Sequence, residues 1–261
     1  DGSGIIVEVG KNISSERRNE RVWIWNGAWN RAFGTAAEYI CLPADQAVKM
    51  PSSMSFEHGA CLGIPGLTAA QLICMQSKIE EKTIFISGGN GAVGHLAIQI
   101  AKYRGAQIIA TSRASQGKKL KDLGADFVLD YADPELDKKV LECAPNGVDY
   151  AVEVEFGENI NIIPKIMRAM GTVSIYGSGK NMNPKFPFGE YLFKSLTLNV
   201  ILVYIMPMPV RKRLIKIIHD AYINNALSPS IDSIYELGDC AKAHEQVMKP
   251  GRNGTVLLKI D

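Results

Sequence analysis

The segment Thr83–Gly94 constrains this chain more than any other. It reads Thr-Ile-Phe-Ile-Ser-Gly-Gly-Asn-Gly-Ala-Val-Gly, an apolar run that stops at a glycine cluster, and His95–Lys102 continues as a helix-forming sequence. Gly89, Gly91 and Gly94 have the spacing G-x-G-x-x-G expected of a dinucleotide-binding strand–turn–helix unit. One glycine lets the chain turn tightly, one admits a diphosphate against bare backbone, and one lets helix and strand pack closely. Amides left unpaired at the helix start then meet the phosphate charge. Glycine-rich turns also occur in α/β proteins that bind nothing, so the strands that follow have to discriminate.

After Gly105-Ala106, the run Gln107–Thr111 reads as a second apolar strand at the crossover distance of such a unit. A site that prefers NAD ends this strand with a carboxylate for the ribose 2′-hydroxyl. Here the chain continues Ser112-Arg113-Ala114-Ser115-Gln116-Gly117-Lys118-Lys119, with hydroxyls and cations and no adjacent acid. Such groups hold a 2′-phosphate that a carboxylate would repel, which favours NADPH over NADH. For Arg113 or Lys118 alone, a solvated place at the start of a surface helix reads nearly as well.

Further strands are expected at 126–129, 149–154, 172–177 and 195–202, with helices at about 92–104, 116–123, 133–142 and 160–169. Alternation of this kind makes an α/β fold with a doubly wound, largely parallel sheet. Residues 1–50 read differently, as short strands at 5–9, 22–25, 35–41 and 47–50, before helical segments at 56–61 and 67–75. A helix is expected over 214–223. The tail leaves the doubly wound pattern, with a strand at 231–237, a helix to Met248 capped by Asp239, and a strand at 255–260. These segments divide the chain into 1–75, a nucleotide domain at 76–228, and a returning segment at 229–261 that completes the first domain.

The 261 residues carry 29 basic and 27 acidic side chains, a formal net charge of +2, which gives no electrostatic case for nucleic acid or an anionic membrane. Arg211-Lys212-Arg213 reads as the solvated start of a helix. No signal peptide or bilayer-length apolar run is visible, and a strand begins so close to Asp1 that the natural N-terminus is expected upstream. Cys41, Cys61, Cys74, Cys143 and Cys240 are odd in number and far apart, which suits mostly buried thiols in a reducing, cytoplasmic compartment. No C-x-x-C pair occurs, and His58, His95, His219 and His244 lack ligand spacing, so no metal site is expected. Cys41 reads as core and His58 as a helix-surface residue. Trp25, Trp29 and Phe33 precede Gly34 in a loop region and suit either a flat acceptor pocket or loop packing.

The segments Asp1–Ile5, Glu20–Trp23, Gly34–Tyr39, Gly63–Ala69, the glycine turn, Leu123–Asp126, Gly171–Val173, Ala243–Glu245 and Gly254-Thr255 together resemble the medium-chain dehydrogenase/reductase superfamily, most closely its zinc-free quinone oxidoreductase (zeta-crystallin-like) branch. The resemblance covers essentially the whole chain. It implies a Rossmann domain plus a mostly β, GroES-like catalytic domain that lacks its N-terminal part. The implied activity is direct hydride transfer from NADPH to a quinone or similar electron-poor acceptor without metal. An alkenal or enone double-bond reductase and a non-catalytic, crystallin-like NADPH-binding protein are the alternatives.

The resemblance further implies that Gly89, Asn90, Gly91, Ala92, Val93 and Gly94 hold the pyrophosphate. Ser112, Arg113 and Lys118 approach the 2′-phosphate, while Tyr176, Gly177 and Ser178 lie near the cofactor midsection. Thr68 sits in the helix leading to the nicotinamide end, while Asn253 and Gly254 close the cleft from the returning tail. A homodimer through the 195–202 strand is implied as well. The chain departs from the family pattern at Arg113, where relatives often have a small residue, and at Glu153 and Glu155, where a Ser-Val-Gly-like turn is common. No catalytic acid is identified, and a quinone tolerates that because its reduced oxygens take protons from water.

Overall fold

A computed structural model describes residues 1–76, 78–113, 117–249 and 251–260. Contacts divide the chain into two compact units, Asp1–Leu67 with Val203–Asp261, and Thr68–Leu202. The sequence reading divides it instead at 75/76 and 228/229.

The first unit opens with β1 (Gly2–Ile5), β2 (Arg21–Ile24) and β3 (Ala47–Lys49), an antiparallel sheet in which Ser3 faces Trp23 and Trp23 faces Val48. Two expectations fail here. The first strand lies at 2–5 and not 5–9, and Thr35–Cys41 forms no strand. A strand needs a partner for its amides and carbonyls, and residues 35–41 pair with none of the described strands.

The second unit holds β4 (Thr83–Ile86), β5 (Gln107–Ser112), β6 (Phe127–Asp130), β7 (Val148–Glu153), β8 (Met167–Ile175) and β9 (Thr197–Val200). They form one six-stranded sheet in the order β6-β5-β4-β7-β8-β9, every pair parallel. Its central strands are apolar on both faces: Ile84, Phe85, Ile86, Ile108, Ile109, Ala151 and Val152 are all buried. Helices against both faces impose that continuous pattern, in place of the alternation of a one-sided sheet. The helix Gly94–Tyr103 buries Leu96, Ala97, Ile98, Ile100 and Ala101.

The helix expected over 160–169 is instead two single turns, Phe156–Asn159 and Ile163–Ile166, after which β8 begins at Met167. Pro164 has no amide to donate and is tolerated only in a first turn. Tyr150 ties the layers together. Its buried hydroxyl donates to the Leu72 carbonyl and shares a hydrogen bond with Ser174 Oγ. Tyr150→Phe would leave both oxygens buried without that partner. It is expected to lower unfolding free energy by about 2 kcal/mol in urea titrations.

The chain then returns to the first unit through the helix Met208–Ile223, the strands β10 (Ile231–Glu236) and β11 (Thr255–Lys259), and the helix Cys240–Met248 between them. β10 and β11 pair in parallel. Asp239 stands at the head of the Cys240–Met248 helix but does not cap it with its side chain, which holds Lys242 Nζ at 2.7 Å. No helix of the described residues is long and apolar enough to cross a membrane.

Candidate functional site

The order of the large sheet reverses between β4 and β7: from β4 the chain proceeds outward to β5 and β6, and from β7 to β8 and β9. In parallel α/β sheets, ligands settle outside the carboxyl ends of the strands at such a switch point. The glycine turn leaves β4 there. Gly88 adopts φ +65, a left-handed conformation that costs a residue with a Cβ but not glycine. The Gly88 amide donates to Thr111 Oγ1 at 3.1 Å and the Gly89 amide to the Thr111 carbonyl at 2.8 Å, so β5 fixes the first half of the turn. Gly91 N bonds the Gly88 carbonyl at 3.0 Å, and His95 N donates the first helical bond, to Gly91 O at 3.2 Å. The amides of Ala92, Val93 and Gly94 precede that bond, at the positive end of the helix dipole.

The glycines have separable reasons. A Cβ at Gly94 would collide with the Gly88 carbonyl oxygen and come within 2.9 Å of Gly89 Cα. At Gly89 it would lie 2.6 Å from Leu120 Cδ1. At Gly91 it would meet, among the described residues, only the Gly88 carbonyl, at 3.3 Å, so this position faces space that a Cβ would fill. An open cradle beside a helix N-terminus fits a dinucleotide diphosphate.

His95, in the first turn of the helix, is buried and makes a 2.9 Å hydrogen bond between Nδ1 and the Gly91 carbonyl, which places the proton on Nδ1. Burial pushes its pKa down to about 4. The Gly91 carbonyl opposes that shift, and Lys119 adds to it.

At the end of β5, Ser112 is buried and its hydroxyl donates to the Arg113 carbonyl at 2.8 Å. The Arg113 side chain is exposed and donates from Nε to Tyr131 Oη at 2.8 Å. Lys118 is exposed on the helix Gly117–Asp122. Ala114, Ser115 and Gln116 lie outside the described residues. Sequence reading missed one acid here: Asp130 ends β6 in register with Ser112. Its carboxylate is occupied by the Ala132 amide at 2.9 Å.

The loops after β7 and β8 interlock. Phe156 N donates to Gly177 O at 3.1 Å, Gly157 N to Ser178 Oγ at 2.8 Å, and Lys180 N to Glu155 Oε1 at 2.9 Å. A Cβ at Gly177 would strike the Val154 carbonyl. Beneath them Glu153 is fully buried, and burial raises its pKa. Its Oε1 accepts from Ser87 Oγ at 2.7 Å, from Glu155 N at 2.6 Å and from Asn159 Nδ2 at 3.0 Å. The structure therefore joins the glycine turn, Glu153 and Tyr176–Ser178 in one cluster. Sequence reading had marked Glu153 only as a departure from the family pattern. Its signal was a carboxylate at the end of an otherwise apolar strand.

Thr68 is buried in the first turn of the helix Leu67–Cys74. Asn253 belongs to the first unit, where its amide donates to Asp232 Oδ1 at 2.9 Å. The first unit also corrects several assignments. Arg211 is buried, with its guanidinium 3.8 Å from the Trp25 ring centroid and Nη2 donating to Val203 O, so it is no solvated helix start. Trp29 stacks on Tyr204 with centroids 4.1 Å apart, while Phe33 projects into solvent at 83% exposure. His58 is half-buried and bonded to Tyr222 Oη at 2.9 Å. Of the cysteines, Cys61 and Cys74 are buried, whereas Cys41 and Cys240 are exposed. Packing of these side chains depends on tertiary neighbours that local sequence does not reveal.

A cavity of about 1800 Å³ also lies in the first unit, lined largely by β1, residues 35–44 and β11.

Residues 92–220 match the family described as zinc-binding dehydrogenase. Among the described residues no group of three or more His, Cys, Asp or Glu side chains stands where it would hold a metal ion, so the side chains present do not fit that family's zinc. The quinone oxidoreductase of Rattus norvegicus is 25% identical over 264 residues, which span 99% of this chain and 78% of the rat protein. An NAD-dependent alcohol dehydrogenase superposes with a TM-score of 0.87 at 24% identity, covering 100% of this chain and 82% of that one. A mycobacterial protein solved with NADPH superposes at 0.86 and 24% identity, over 98% and 81%. With the parallel six-stranded sheet and the glycine turn at its switch point, these similarities agree with the resemblance to the medium-chain dehydrogenase/reductase superfamily and its quinone-oxidoreductase-like branch.

Proposed function

We propose that this chain is an NADPH-dependent oxidoreductase that reduces quinone-like acceptors without a metal. The observation that carries the proposal is the Ser87–Gly94 turn, open at Gly91 and backed by a helix N-terminus at the switch point of the sheet. When bound, the dinucleotide supplies the hydride. The protein's part is to bind it, orient it and exclude competing reactions. In this reading the backbone of Gly89, Asn90, Gly91, Ala92, Val93 and Gly94 carries the diphosphate. Ser112, Arg113 and Lys118 receive the 2′-phosphate, and Tyr176, Gly177 and Ser178 border the midsection. Thr68 belongs to the helix leading to the nicotinamide end. The smaller sheets of residues 1–75 and 229–261 act as a GroES-like catalytic domain, and residues 76–228 as the nucleotide domain. A homodimer forms through β9, which lies at the sheet edge and is paired within the chain only to β8.

The test is stopped-flow loss of NADPH absorbance with a panel of quinones and enones. Faster oxidation with quinones is the expected result. Reduction confined to the carbon–carbon double bond of enones would reassign the acceptor, and tight NADPH binding with no turnover would leave a binding protein. Absence of binding by folded protein would end the reading.

Coenzyme choice gives a second expected result. Arg113→Ala is expected to weaken NADPH about tenfold by titration calorimetry, the worth of one charged contact to phosphate, and to leave NADH affinity unchanged. An equal loss for both coenzymes would remove Arg113 from the 2′-phosphate site.

A further inference from the structure

Glu153 carries chemistry that the binding of a diphosphate does not use. It ends β7, the neighbour of β4, and is 0% exposed. Three donors converge on its Oε1, while its Oε2 is buried with no hydrogen-bond partner among the described residues. Ser87, the residue that leads β4 into the glycine turn, is held from both sides: its Oγ donates to Glu153 Oε1 and accepts from Val154 N at 3.0 Å.

The groups that act on this carboxyl come from every element around it. Ser87 faces it from the β4 turn, Glu155 from its own loop, and Asn159 from the single helical turn beyond. Tyr176 at the end of β8 and Tyr191 in the helix Phe188–Phe193 also feel its charge. None of these groups is a cation. A carboxylate shut away from water without a counter-ion gives up its charge by keeping its proton. Burial raises the Glu153 pKa, against the three hydrogen bonds that would lower it.

We propose that Glu153 is a positioning residue of the dinucleotide site: acting through Ser87 and Asn159 it preforms the glycine turn, and it does so only while uncharged, so that alkali weakens the cofactor. The inference rests on the reading of that turn as a nicotinamide-dinucleotide site. An ionised Glu153 puts a negative charge one hydrogen bond away from the loop that must receive a diphosphate. The neutral acid keeps the same bonds on Oε1 without that repulsion. Tyr176 and Tyr191 do not confuse the titration, because burial lifts both phenols above the ordinary tyrosine value.

The experiment measures NADPH affinity by nicotinamide fluorescence from about pH 7 to 9, together with the infrared spectrum of the cofactor-free protein, for wild type, Glu153→Gln and Ser87→Ala. Wild type is expected to lose affinity about tenfold as Glu153 ionises. Glu153→Gln, neutral at every pH, is expected to bind NADPH with no pH slope. Ser87→Ala is expected to weaken binding about tenfold at neutrality and to move the loss of affinity to higher pH, because one of the bonds that lower the Glu153 pKa is gone. The wild-type minus Glu153→Gln difference spectrum is expected to contain the carbonyl stretch of a protonated carboxylic acid.

A flat wild-type profile, or a slope that persists in Glu153→Gln, would overturn the proposal. If the band is absent at neutrality, Glu153 is ionised and the proposal fails whatever the affinities. A folded wild type that shows the band but binds neither coenzyme would reject the site reading and with it this role for Glu153. That outcome differs from failure of the charge argument alone, in which NADPH binds and the band is missing.

Discussion

Gly94→Ala is expected to cost about 3 kcal/mol of stability and to weaken NADPH at least about a hundredfold. The added methyl would overlap the Gly88 carbonyl oxygen and approach Gly89 Cα at 2.9 Å and the Gly88 carbonyl carbon at 3.0 Å. All three are main-chain atoms that Thr111 and β4 hold in place, so no side chain can swing aside. Helix and turn must separate, and the amides at the helix start move with them. Gly91→Ala is the informative control, because among the described residues its methyl meets only one carbonyl, at 3.3 Å. It is expected to lower the urea midpoint far less than Gly94→Ala and still to lower affinity, since it fills the space a phosphate would take. Urea titration and calorimetry on both variants separate turn architecture from cradle occupancy. Equal effects at the two positions would show that the glycines do not divide their roles in this way.

The second large effect is acid lability centred on His95. Its pKa falls from the ordinary histidine value near 6.5 to about 4 in the folded protein, because burial penalises the imidazolium. The unfolded chain therefore binds a proton below about pH 6.5 that the folded chain refuses. Stability contributed by this group is complete above that pH and is lost as pH falls toward 4, to a total of about 3 kcal/mol. His219 and His58, also lowered by burial, slope in the same direction. His95→Gln retains a donor for Gly91 O and has no proton to gain. The difference in unfolding free energy between wild type and His95→Gln is expected to change by about 3 kcal/mol between neutrality and pH ~4 in the variant's favour. A constant difference would show that His95 is protonated in the folded state.

Much of the large sheet was legible because burial on both faces writes itself as unbroken apolar runs, from Ile84–Ile86 through Ala151-Val152 to Val173–Ile175. The turn was legible for a similar reason: a backbone that admits no Cβ must be spelled with glycine. Gly88 shows where that reading stops. Its positive φ is needed because Thr111 draws the turn toward β5, a contact made across 23 residues. The short strands were harder. Thr35–Cys41 has strand-like composition, yet a strand exists only with a partner, and partners are a property of topology. Arg211 looked solvated because its neighbours in sequence are charged, whereas its face of the helix turns onto Trp25. Glu153 stood out as an unusual letter, but its three bonds come from Ser87, Glu155 and Asn159, and only the folded chain brings the first of these near.

The interleaving of the two units has a consequence for how the molecule is made. Trp23 Nε1 donates to His219 Nε2 at 3.0 Å across 196 residues of chain. The opening strands leave the ribosome long before the helix that covers them, while the intervening unit Thr68–Leu202 has all its own partners to hand. During synthesis the nucleotide half can settle first, leaving β1–β3 waiting with apolar flanks bare. That interval, and the slow closure of so distant a contact, is where this chain is most exposed to misassembly and most in need of a chaperone.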